Sequence, residues 1–267
     1  FSETAAFAND GTINVNGDKN IGMYFRNITT GTNGNNNTIN IAGTNGYGVM
    51  LENTKFKNSG TVAATGSNSI GVYAGNSTVT NESGKTISSD KYHAVVQNGG
   101  TFTNEGTVST EAGGKVALYS ENGIFTNTSD GTISAKNGGI AMFVKDSKGT
   151  VAGKINVGDS ANGNTGIGVY SDGSSTATTF QGSDAQLTLG AGTVGLYSSK
   201  ASDFGNVFTI TNLKTSIGNG AVFTYFGNTG NTADDTVSIT NTTLQNLTVS
   251  SMGINSAIFY GAKDTTV

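Results

Sequence analysis

The chain has 267 residues, 40 of them Gly and none Pro, Cys or Trp; 12% are charged and the net charge is −4. Absence of Cys excludes disulfides and thiolate metal sites, and the acidic balance lacks the basic stripe that a phosphate backbone requires, so nucleic acid is not an expected partner. The 34% apolar fraction is evenly spread and rich in Val, Ile, Phe and Tyr, which are strand formers, so an all-β fold is expected rather than disorder.

In chain order, FSETAAFAND at the start carries no basic segment followed by an apolar run, and no stretch reaches the ~18 apolar residues of a membrane helix, so these residues read as a piece of a larger protein. A first phrase then appears as FANDGTI (7–13), FKNSGTV (56–62) and FTNEGTV (102–108). A second, small residue then aliphatic then usually aromatic, runs from IGMY (21–24) through IGVY (70–73), VALY (116–119), IGVY (167–170) and VGLY (194–197) to GAVF (220–223) and SAIF (256–259). Its small residues, from Gly22, Gly48, Gly71 and Ala94 to Ala221 and Ala257, are 23 to 27 positions apart except for a last step of 36. Self-similarity at this period marks a solenoid. Phe56, Val79, Phe102 and Phe125 keep steps of 23, each followed two places later by Asn58, Asn81, Asn104 and Asn127. In NGNNNTI (33–39), Asn35 falls in the Asn column and Asn37 in place of the Gly.

Three short apolar bursts per unit, none long enough for a helix, predict a right-handed parallel β-helix of about ten rungs of roughly 23–27 residues with three strands each. The whole chain, 1–267, is then one β-solenoid, with regular rungs over 1–150 and irregular rungs with longer loops over 151–267. The aromatic or Val is expected in the core, and the Asn side chains are expected to stack into a hydrogen-bonded ladder. Gly60 and Gly106 are expected to take a positive φ at the corner.

Beyond residue 150 the insertions 158–166, 171–186, 198–206 and 226–248 carry the candidate binding residues Asp159, Asn162, Asp172, Asp184, Asp203, Asp234 and Asp235. Across rungs their carboxylates could converge as an acid/base pair must, but polar loop residues are more often solvated, and no catalytic residue, metal ligand or cofactor is assigned. GAGTVG (190–195) fits G-x-G-x-x-G, but a strand phrase follows it rather than a helix, so it reads as a turn. The single His93 stands in a column of Ile and Val and reads as a tolerated polar substitution. Tyr24, Tyr73, Tyr119, Tyr170 and Tyr197 share a column with Met50, Val96, Phe143, Phe223 and Phe259. An outward column would bind sugar rings or a protein; because every occupant is apolar or aromatic, the core is expected. An ice-binding solenoid would need regular T-x-T columns, which the sequence does not sustain.

The N-x-G-T-[IV] turns (NDGTI, NSGTV, NEGTV) with the IGVY and VGLY phrases, in a chain without Cys or Pro, resemble the passenger of a Gram-negative type V autotransporter, most of all the large fusobacterial outer-membrane adhesins. The resemblance is strong over 1–150 and loose over 151–267. It implies export, anchorage to the outer membrane through a β-barrel that is not within these residues, and display at the cell surface. The implied function is a non-enzymatic adhesin rod that binds a host-cell protein or glycan, or another bacterium, through loops on the β-helix. A pure spacer within a larger adhesin and a polysaccharide-cleaving β-helix are the alternatives.

Overall fold

The computed structural model describes residues 6–172, 175–199, 207–226, 237–238, 243–261 and 265–266. The chain winds as a parallel β-solenoid with three walls, each a ten-stranded parallel sheet. Wall A runs from Ala6–Asn9 to Thr243–Leu244, wall B from Thr12–Val15 to Leu247–Met252, and wall C from Ile21–Arg26 to Ala257–Gly261. Consecutive strands enter different walls, so every sheet neighbour comes from the next rung. One rung cannot cover its own inner face, and burial therefore comes only with stacking.

Most strands of walls A and B alternate. In Thr61–Ala64 the side chains of Val62 and Ala64 are buried and those of Thr61 and Ala63 face outward. Wall C strands differ: in Ile70–Gly75, two successive residues, Gly71 and Val72, are buried before alternation resumes. The chain bends there, and a Cβ on Gly71 would lie 2.6 Å from the Ala94 carbonyl oxygen. This crowding favours a small residue, and Ala94, Ala117 and Ala141 share the column, but the register of the last two rungs places Phe223 and Ile258 in it, so Ala221 and Ala257 are not the markers the sequence suggests. In the last two rungs the register is Tyr197 to Tyr225 and Tyr225 to Tyr260. Phe223 and Phe259 are therefore not in the tyrosine column: Phe223 is core, and Phe259 pairs with Thr224.

The stacked amides are present. The Nδ2 of Asn9, Asn33, Asn58, Asn81 and Asn104 each donates to the Oδ1 of the next Asn, ending at Asn127, at 2.8–2.9 Å. Five of the six are fully buried, and each spare Nδ2 hydrogen reaches main-chain carbonyls, as at Asn58 with Gly60 and Thr86. Complete pairing is what lets amides sit in a core. Asn33, not Asn35, holds the second position, because its strand pairs Asn33 with Asn58 and the two surplus residues fall in the following turn. Asn35 instead accepts from Lys85 Nζ. Above Asn127 the column continues with Val151, Phe180 and Ile210, so the later rungs fill the same place with hydrocarbon.

Gly60 and Gly106 do not adopt the left-handed backbone expected of them. That conformation is taken by Asn53, Asn76, Gly99, Asn122 and Asp146 where wall C meets wall A, by Asn45, Asn68, Gly114 and Asn137 where B meets C, and at the A–B corner by Asn36, Gly84 and Gly182. Gly60 and Gly106 are required by proximity: a Cβ would stand 2.2 Å from the Asn37 carbonyl oxygen in the first case and 2.3 Å from that of Lys85 in the second.

Candidate functional site

The predicted acidic residues do not converge. Asp159 lies on the edge joining walls B and C, Asp172 on the C–A edge and Asp184 on the A–B edge, so one rung and its successor carry them at three different corners of the prism. Asp159 Oδ1 accepts the Ala191 N–H at 2.7 Å and so braces the turn of GAGTVG, where Gly192 is left-handed. Asp172 Oδ1 accepts from the Ser199 hydroxyl at 2.7 Å, and Asp184 is exposed beside Ser183. Asn162 is an exposed left-handed residue in a tight turn closed by an Ala161–Asn164 bridge. Asp203, Asp234 and Asp235 lie outside the described residues. Among the described residues no group of three or more His, Asp or Glu stands close enough together to hold a metal ion. Two carboxylates on different edges share no substrate, so the described members of this set form no acid/base pair.

The tyrosine column faces outward, contrary to the expected core position. The bend falls before Val72, so alternation from there sends Val72 and Ala74 inward and Tyr73 out. On the outside of wall C, Tyr119, Phe143, Tyr170, Tyr197, Tyr225 and Tyr260 form an unbroken stack with ring centroids 4.9, 4.9, 4.9, 5.9 and 5.5 Å apart. Three of the five pairs are nearly parallel, with 5° between the planes of Tyr119 and Phe143. Neighbouring rings thus cover much of each other's faces, leaving edges and hydroxyls toward solvent, and the separations are those of favourable aromatic pairs.

Beside this column runs an aliphatic one, Val116, Ile140, Ile167, Val194 and Val222, held in register by the same strands. On the other side stand the Glu121–Lys145 ion pair at 2.9 Å and Asp172. Tyr119 donates its hydroxyl hydrogen to Glu121 at 3.2 Å. Burial, then the Glu121 charge, raises the Tyr119 pKa, and burial raises those of Tyr170 and Tyr197, so these hydroxyls stay protonated near neutral pH. The insertion 158–166 enters wall C immediately before Ile167, so it borders the same face.

Walls A and B present hydroxyls instead. Thr80, Thr103, Thr126, Thr150, Thr179 and Thr209 make one file on wall A, longer than the sequence suggested, yet the companion file is interrupted by Ile124, Lys148 and Ala177. Thr12, Thr38, Thr61, Thr86, Thr107 and Thr132 make a second file on wall B, beside Asn, Ala and Ser. An open dent of about 410 Å³ lies on the C–A edge, lined by Gly100, Asn122, Gly123, Ile124, Asp146 and Lys148 among others. Wall C is therefore the one continuous apolar surface along the described rod. Comparison of the chain with known protein families, with curated proteins and with solved structures found no match.

Proposed function

We propose that the protein is a non-enzymatic adhesive rod, displayed at the cell surface of a Gram-negative bacterium and anchored through an outer-membrane β-barrel elsewhere in its polypeptide. Its recognition surface is the outside of wall C from rung five onward, framed by the insertion 158–166. The carrying observation is the unbroken six-ring column beside an aliphatic column on one wall, when the other two walls show hydroxyls and charges. Contiguous apolar surface of this kind on an exposed face is typical of interaction sites. The carboxylates on separate edges support a binding role over hydrolysis.

The test is adhesion of protein-coated beads to host cells and to other bacteria. The double variant Phe143→Ser/Tyr170→Ser is expected to reduce attachment about tenfold, since each ring lost removes a large part of a binding surface, while the β-type circular dichroism remains. Undiminished adhesion of that variant, with loss on shortening 158–166, would move the site to the loop. No adhesion by the parent protein would favour the spacer reading, and release of reducing ends from polysaccharides would favour the enzyme.

A further inference from the structure

The B–C corner holds five residues in most of the early rungs, 42–46, 65–69 and 111–115, whereas in the fourth the register of Ser89 with Ala64 and of Val95 with Val72 leaves only three, 90–92, before the place matching Ile70. The A–B corner of that same rung is two residues longer than its neighbours, 82–85 against 59–60 and 105–106, so the period of 23 is preserved. His93 stands at the position of Ile70 below and Val116 above.

At the equivalent place in other rungs, a main-chain N–H bonds a main-chain carbonyl of the rung before: Tyr47 to Asn20 at 3.0 Å, Ile70 to Gly46 at 3.0 Å, Ile140 to Lys115 at 2.7 Å and Ile167 to Gly139 at 3.1 Å. Val116 breaks the series. The carbonyl that matches, on Tyr92, takes the Thr110 hydroxyl at 2.8 Å, and the Val116 N–H donates to His93 Nδ1 at 2.9 Å. An imidazole side chain has replaced a peptide carbonyl in the ladder.

Only an unprotonated Nδ1 accepts that bond. The ring packs against Tyr92, with centroids 4.2 Å apart, and Tyr119, at 6.3 Å, while the Lys115 ammonium lies 4.8 Å from the Tyr92 ring centre. Tyr119 turns its hydroxyl to Glu121, and the Ile70 position below is apolar, so the groups facing the imidazole are the Lys115 ammonium, two phenol rings and hydrocarbon. We propose that this corner is an acid-sensitive seam: it stays closed while the His93 ring is neutral and opens locally between the fourth and fifth rungs when Nδ1 takes a proton. Since His93 also abuts the Tyr119 end of the aromatic column, opening would reach the first ring of wall C's exposed stack.

Burial, with the Lys115 charge adding to it, lowers the His93 pKa to about 4. A histidine whose folded pKa lies below its unfolded value of about 6.5 contributes stability that is present above the unfolded pKa and is lost as pH falls through that window toward the folded one. The chain contains a single His, so its imidazole resonance is unambiguous. In the wild-type protein that resonance should titrate near 4, and exchange protection of the Val116 amide should fall about tenfold more than that of Ile140 between pH 6 and pH 3, as local opening requires. His93→Asn keeps an acceptor near Nδ1 without a titrating group, and there Val116 should track Ile140. A wild-type titration near 6.5, wild-type Val116 protection parallel to Ile140 throughout, or equal acid loss in the Asn variant would each overturn the seam. The two wild-type measurements decide the matter even if the variant folds poorly.

Discussion

Gly106→Val should leave little folded protein at ambient temperature, whereas Thr107→Val should melt within a degree or two of the parent. At Gly106 a Cβ would lie 2.3 Å from the Lys85 carbonyl oxygen, 2.4 Å from that of Glu82 and 2.9 Å from Asn81 Nδ2. The first two are main-chain atoms of the preceding rung, and neither can withdraw by a rotamer change. Relief demands that two rungs separate, which would stretch the Thr107 N–H to Lys85 bond of 2.7 Å and the amide ladder beside it. The expected loss is more than about 3 kcal/mol, in the range of severe overpacking. Thr107 begins a wall B strand with its side chain turned outward, where Val keeps the branched shape, and an outward change of this sort moves stability by about 0.5 kcal/mol or less. Equal melting temperatures for the two variants would show that the stacked turns have slack that this spacing denies. Since Gly106 is not left-handed, Gly106→Ala should already be strongly destabilising through collision alone.

That glycine illustrates how far sequence could be read. The recurrence of FKNSGTV and FTNEGTV made the rung, the wall positions of Phe56 and Phe102 and the amide column legible, because identical offsets at a period of 23 require identical places in a stack. The reason for the Gly was not legible: close approach of a neighbouring rung and a left-handed turn select the same residue, and only coordinates separate them. Asn33 was lost to Asn35 because a two-residue surplus in a turn can be placed on either side of a strand when both candidates are Asn. The outward tyrosines were missed for a different reason. Counting alternation backward from the strand gives the right answer only if the bend is put at Gly71, and nothing in IGVY alone says which of its bonds turns. His93 escaped because its rung shortens one corner by as many residues as it lengthens another, which leaves the period undisturbed.

Asn104→Ala should be among the most damaging substitutions that create no clash, and Asn127→Val should be clearly milder. Asn104 sits inside the ladder. Its Oδ1 accepts from Asn81 at 2.9 Å, and its Nδ2 donates to Asn127 at 2.8 Å, to the Gly106 carbonyl at 3.0 Å and to that of Thr132 at 3.2 Å. Truncation takes the donor from Asn127 Oδ1 and one of two donors from the Gly106 carbonyl, which keeps the Thr132 N–H at 2.8 Å, deprives the Asn81 amide of one partner and leaves a cavity at a place with no solvent exposure. Each buried polar group left unpaired costs about 1–3 kcal/mol, and relaxation will recover part of that, so a net loss of about 3 kcal/mol is expected. Asn127 is the last amide of the series. The next rung already places Val151 directly above it, so a Val there would meet hydrocarbon on one side, and the Asn104 amide would keep its two carbonyl partners. Loss there should be about 1–2 kcal/mol, mostly from the Gly131 and Lys154 carbonyls that the Asn127 amide serves at 3.1 and 3.3 Å. Chemical denaturation of the two variants measures the difference directly. If Asn127→Val proves as costly as Asn104→Ala, the ladder acts as one cooperative unit whose end matters as much as its middle, and the change from amide to hydrocarbon at the seventh rung would need another cause than simple exchange of one filling for another.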